Sequence, residues 1–168
     1  MSKSKLKKAL QSLSKEELID VVLEAYAARK ETRDYLEYWL DPDPKAALEG
    51  AVAAIQKIFF RANGEPARRI SLGAASKIIK DFSASTPEPE LIGTLLTSYT
   101  DIQSRWILRR RFVLTHRASA ERNFIRALEY AQAHDLLETQ GARLRETRAR
   151  LRGIYRLMQL PEVESAAQ

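Results

Sequence analysis

Arginine carries the most pointed chemistry in this chain. Arg145, Arg148, Arg152 and Arg156 follow one another at intervals of three, four and four. At about 100° per residue that spacing puts all four on one ribbon of a helix. A guanidinium holds phosphate or carboxylate oxygens two at a time, so an anionic strand laid along the ribbon is what such a pattern suits. A second cluster, Arg109-Arg110-Arg111, follows Arg105 and Trp106, and an indole among cations can stack on a nucleic-acid base. Trp106 also fits the apolar stripe of its own helix, where burial is the plainer role, and Glu129, Glu138 and Glu146 interrupt the basic field. The seven residues Arg109, Arg110, Arg111, Arg145, Arg148, Arg152 and Arg156 are therefore candidates for anion or nucleic-acid binding. They are weighed against the commoner fate of charge runs, a solvated helix surface.

Other chemistries find little to work with. The chain has no cysteine, which excludes disulfides, thiolate metal sites and cysteine nucleophiles. His116 and His134 are its two histidines, with Asp101, Glu121 and Asp135 as the nearest companions in kind. No HxxxH or HExxH spacing brings ligands onto one helix face, so no metal site is expected. There is no GxSxG nucleophile elbow, no GxxxxGK[ST] phosphate loop and no GxGxxG fingerprint. The carboxylate pairs Asp41 with Asp43 and Glu88 with Glu90 flank prolines, at places where helix N-termini stabilise negative charge without any catalytic purpose. Neither catalysis nor a cofactor is expected.

The elements that must position these residues are helices. Glycine and proline occur only six times each in 168 residues, and apolar residues recur throughout with the helical period. Ser14-Lys15-Glu16-Glu17 reads as a capping box that starts a helix at Lys15. Asp43 and Pro44 read as an N-cap followed by a first-turn proline, and Ser71 as the cap of a fifth helix. A third helix is expected to turn Tyr35, Leu36, Trp39 and Leu40 inward. A sixth could run from Pro87 into the arginine triplet, about 25 residues, either continuous or with a bend or break near Thr100-Asp101. Ser119 is expected to cap a seventh, and Gly141 to separate it from a last helix over residues 142–160 that Pro161 ends. The fold class expected is all-α, with seven or eight helices in one compact domain over residues 1–160 and a disordered tail over 161–168. A helical bundle is the default arrangement and a short stack of helical hairpins the alternative.

Composition agrees with a folded, soluble class. Hydrophobic residues make up 45% and charged residues 30% of the chain, more apolar material than disordered chains carry. The net charge of +6 is uneven: residues 101–168 hold thirteen basic residues, all arginine, against eight acidic ones, whereas residues 1–100 hold fifteen against fourteen. The basic start, Ser2 to Lys8, is followed by no apolar run of signal-peptide length, and no stretch is long enough to span a membrane, so a cytoplasmic location is expected. Lys3, Lys5, Lys7 and Lys8 opposite Leu6 and Leu10 could lie on an anionic membrane, but those leucines are better used against the second helix.

Four stretches resemble a family of bacterial helical proteins known only as a domain of unknown function. They are Ser4-Lys5-Leu6-Lys7-Lys8 with Leu13-Ser14-Lys15-Glu16-Glu17-Leu18, then Trp39-Leu40-Asp41-Pro42-Asp43, then Ile58-Phe59-Phe60, and the block from Ser71 through Lys80-Asp81-Phe82 to Pro87-Glu88-Pro89-Glu90-Leu91. The resemblance covers residues 1 to about 100, with a weaker echo at Arg126-Ala127-Leu128 and His134-Asp135-Leu136-Leu137. Residues 100–120 and 138–168 depart from the family pattern: the family tends to a Gly- and aromatic-rich segment near its end where this chain is Arg-rich. The resemblance implies an all-helical cytoplasmic protein and supplies no activity and no functional residues. The functional expectation is a non-catalytic module that binds a protein partner or itself. The alternative is an RNA- or DNA-binding accessory protein that uses the arginine-rich C-terminal helix, and an enzyme with an unrecognised pocket comes third.

Overall fold

Serine hydroxyls set three of the helix starts. Ser2 accepts from Lys5 N, Ser71 accepts from Ala74 N at 3.2 Å, and Ser14 and Glu17 cap each other's backbone amides in a complete capping box. Each exchange satisfies an amide that the first turn would otherwise leave unpaired. The computed structural model describes residues 2–40, 43–86, 88–110, 114–156 and 158–163, the side chain of Tyr38 excepted. Among these the architecture is all-α: α1 (Lys3–Gln11), α2 (Lys15–Ala28), α3 (Lys30–Leu40), α4 (Pro44–Phe59), α5 (Leu72–Ser85), α6 (Pro89–Arg110), a 3-10 turn over Leu114–His116, α7 (Arg117–Ala133) and α8 (Leu137–Ile154). The chain divides into two compact units, Met1–Asp43 and Pro44–Gln168.

The first unit holds α1 to α3. Tyr26 Oη on α2 donates to Glu37 Oε1 on α3 at 2.6 Å, and Arg33 lies over the Tyr26 ring. No residue described in this unit is buried. Tyr35, Trp39 and Leu40 do not turn inward as their period suggests: Trp39 is 69% and Leu40 73% exposed. A helical apolar stripe needs a facing surface as well as a period, and α3 has only α2 beside it within the unit.

The second unit is built around α6, which runs unbroken through Thr100-Asp101 with α4, α5, α7 and α8 packed against it. Burial extends over almost every position from Gly93 to Ile107, polar ones included. Those polar groups are satisfied: Thr100 donates to Thr97 O, Ser104 donates to Asp101 O, and Gln103 bonds both Ser119 and Asn123. Buried hydroxyls and amides without such partners would cost too much to keep at the centre of a core. Phe59 from α4, wholly buried, meets Tyr99 and Trp106 edge-on with ring centres 6.0 Å away in each case. Trp106 Nε1 donates to Ala67 O at 3.0 Å, so the indole is a core residue rather than a stacking platform. The loop after α4 is pinned by Ala67 N donating to Phe59 O and Arg61 N to Glu65 O, each at 2.8 Å, and it turns at Gly64 with φ +77°.

Several boundaries differ from the sequence reading. The first-turn proline of α6 is Pro89, and Pro87 lies outside the described residues. Helix α7 starts at Arg117 after His116, while the Ser119 hydroxyl donates back to His116 O from inside the first turn. Gly141 separates nothing: it is buried within α8. At Gly93 a Cβ would come within 2.6 Å of Leu136 Cδ1 and 2.8 Å of the Gln140 side chain, so glycine there permits the close approach of α6 and α8. Helix α8 stops at Ile154 rather than at Pro161, yet Tyr155, Met158, Leu160 and Val163 continue to bury against the core in irregular chain.

Candidate functional site

The densest charge in the second unit surrounds Asp101, near the middle of α6. Its carboxylate accepts from Arg150 Nη1 at 2.7 Å and from Arg143 Nη2 at 3.2 Å, and Arg105 Nε stands 3.2 Å away one turn along the same helix. Arg150 also donates to Ser104 Oγ at 2.7 Å and to Glu146 at 2.9 Å, and Arg143 donates to Ser98 Oγ at 3.0 Å. Burial pushes the Asp101 carboxyl up, and the guanidinium groups of Arg150, Arg105 and Arg143 outweigh that push, so its pKa ends below the ordinary value. Asp101 is therefore a buried anion held charged by α8 and by its own helix.

Arg105 and Arg150 of this cluster border a cavity of about 380 Å³ lined by Gln56, Phe60, Gly64, Arg105, Leu108, Arg109 and Arg150. Arg109 Nη1 donates to Gly64 O at 2.8 Å, and its guanidinium lies 5.7 Å from the centre of the Phe60 ring. Among the described residues, the terminal nitrogens of Arg105 and Nη2 of Arg109 make no hydrogen bond.

The arginines singled out by spacing have separate fates. Arg145, Arg152 and Arg156 are exposed, the last beyond the end of α8. Arg148 is directed inward onto the chain that follows, donating from Nε to Pro161 O at 2.8 Å and from Nη2 to Leu160 O at 3.1 Å, and pairing with Glu162. Arg109 lines the cavity, Arg110 is exposed at the end of α6, and Arg111 lies outside the described residues. Spacing missed Arg143 and Arg150, and it placed Arg105 only beside the second cluster, not among the candidate site residues. The available signal was the seven-residue step from Arg143 to Arg150, two turns on one face, together with a mid-helix aspartate whose neighbours one turn away, Thr97, Ser98, Ser104 and Arg105, are all polar.

His116 and His134 stay apart in role. The His116 ring meets Trp106 edge-on at 5.0 Å, and burial pushes its pKa down. His134 caps the end of α7 and lies against Tyr130. Among the described residues no group of three or more histidines and carboxylates could hold a metal ion, and no helix is long and apolar enough to cross a membrane.

The first unit presents a different kind of site. Between α2 and α3 lies a hollow of about 320 Å³ lined by Val22, Leu23, Tyr26, Leu36, Glu37, Trp39 and Leu40. A second, between α1 and α2, is lined by Lys3, Leu6, Lys7, Leu10, Gln11 and Leu18. Ile19, Val22, Leu23, Tyr35, Trp39 and Leu40 together form a large set of exposed apolar side chains on two short helices, and such sets mark binding surfaces.

A model for a family of unknown function, DUF6155, matches residues 1–152, and the chain belongs to that family. No curated protein and no solved structure matches the chain.

Proposed function

We propose that this protein is a non-catalytic self-associating module whose α2–α3 hairpin receives α1 of a second copy. The observation that supports this reading is the apolar hairpin face itself, with Leu23, Trp39 and Leu40 each more than half exposed. Fully burying a side chain of this size is worth about 1.5–3 kcal/mol, so a handful of them gives a stable contact after the cost of association.

Charge selects the occupant. Residues 14–43 carry nine acidic residues against Lys15, Arg29, Lys30 and Arg33, whereas residues 1–13 carry four lysines and no acid. A hairpin facing its own copy would set acid against acid. A lysine-rich helix with Leu6 and Leu10 on one side matches the groove in both apolarity and sign.

Sedimentation velocity over a concentration series tests the proposal. The wild type is expected to shift from monomer to a larger species as concentration rises. Leu23→Ser with Trp39→Ser should stay monomeric with an unchanged far-ultraviolet spectrum, and Lys5→Glu with Lys7→Glu should weaken association by about tenfold or more. A wild type that remains monomeric to about 100 µM, a concentration at which even a weak specific contact is populated, contradicts the reading.

A further inference from the structure

The cavity bordered by Arg105, Arg109 and Arg150 is lined by residues of Pro44–Gln168 alone. Its charge is not balanced from within. Three guanidinium groups, those of Arg105, Arg143 and Arg150, gather around two carboxylates, Asp101 and Glu146, and a fourth, that of Arg109, lines the cavity without a carboxylate partner among the described residues. None of the residues lining the cavity is acidic. Asp101 and Glu146 each engage one of the two terminal nitrogens of Arg150. The donors left over, the terminal nitrogens of Arg105 and Nη2 of Arg109, belong to the residues at the cavity.

We propose that this cavity is a binding site for a small organic phosphomonoester. Two guanidinium forks with spare donors call for more acceptor oxygens than one carboxylate offers. A phosphate monoester presents three, with a charge of about −1.5 to −2 at pH 7, opposite in sign to the three arginines that line the cavity. Gln56 adds a side-chain amide, and Phe60 and Leu108 provide apolar wall for the group that carries the phosphate. A cavity of about 380 Å³ has room for such a group beside the anion, within the range of small-ligand pockets. Asp101 acts as a positioning residue, because by holding Arg150 and Arg105 through opposite ends of its carboxylate it fixes the cationic wall before any ligand arrives.

Isothermal titration with phenyl phosphate, inorganic phosphate and benzoate as probes, at constant ionic strength, tests the site. Phenyl phosphate should bind more tightly than either of the other two, since it alone has both the dianion and the apolar body. Arg109→Gln and Arg105→Gln should each weaken it by about tenfold or more, the usual scale for losing one charge-assisted contact. Both leave the Asp101–Arg150 pair intact, so their melting temperatures serve as the check on folding. Arg145→Gln with Arg152→Gln, exposed elsewhere on α8, should leave binding unchanged. Phenyl phosphate binding no better than benzoate, surviving Arg109→Gln, or falling equally in the Arg145→Gln, Arg152→Gln control overturns the proposal. So does displacement of the probe, through Arg109, by a single-stranded oligonucleotide lacking a terminal phosphate, which would assign the cavity to a nucleic-acid backbone.

Discussion

Residues 1–43 and residues 44–168 are built from the same material and use it in opposite ways. The larger unit buries Ile55, Phe59, Ile79, Leu95, Ile102, Phe124, Leu144 and Leu151 almost completely, whereas the smaller leaves Ile19, Val22, Leu23, Trp39 and Leu40 exposed. Both have amphipathic helices and good caps. The difference lies in the number of facing surfaces: α6 has neighbours on all sides and can bury even its serines, threonines and aspartate, while α2 and α3 have little beyond each other within their unit. Local helix signals therefore specify an element without specifying whether its apolar face is core or interface.

That contrast can be broken most severely at its centre. Phe59→Ala removes a wholly buried ring from contact with Tyr99 and Trp106 and should cost about 3–5 kcal/mol, read as a large drop in the denaturant midpoint. Trp39→Ala, a ring of comparable size in the smaller unit, should change stability by no more than about 0.5 kcal/mol, because most of its surface is already in water.

Asp101→Asn comes next. It leaves Arg150 with the more exposed Glu146 as its one carboxylate among the described residues and takes the charge from the centre of the arginine cluster, and should cost about 1–3 kcal/mol. Because the folded-state pKa of Asp101 lies below its unfolded value, its contribution is full above the ordinary carboxylate range and is lost as pH falls through the lowered folded value. Acid unfolding curves of the wild type and Asp101→Asn should therefore converge at low pH and separate as pH rises through that range.

Similar in size is Gly93→Ala, whose methyl group would press on Leu136 and Gln140. An expected loss of about 1–3 kcal/mol, measured by thermal unfolding, would show how closely α6 and α8 meet. Ser14→Ala should cost about 1 kcal/mol or less, confined to the start of α2, and its readout is the local exchange of the first-turn amides.

How much of this was legible depends on range in sequence. The capping box at Ser14, the cap at Ser71 and the start of α4 at Pro44 were readable because every participant lies within a few residues of the next. Gly141 misled because glycine more often ends a helix than sits inside one; here it is packed within α8 beneath the Arg145 side chain. The ribbon of Arg145, Arg148, Arg152 and Arg156 was a correct reading of helical phase as far as α8 extends. Phase does not say which arginine the following chain folds back to meet, and Arg148 meets Leu160, Pro161 and Glu162. The Asp101 cluster was out of reach for a stronger reason. Arg143 and Arg150 stand more than forty positions from the carboxylate they hold, and only the packing of α8 on α6 brings them there.

The most direct test of the contrast is hydrogen exchange followed residue by residue at about 1 µM and about 100 µM, a span over which a micromolar self-contact must fill by mass action. Amides of residues 15–40, and those of α1, are expected to exchange more slowly at the higher concentration, while those of residues 44–156 keep the same rates. Identical exchange across residues 3–40 at both concentrations would contradict the account, because the apolar hairpin would then have no second copy to cover it.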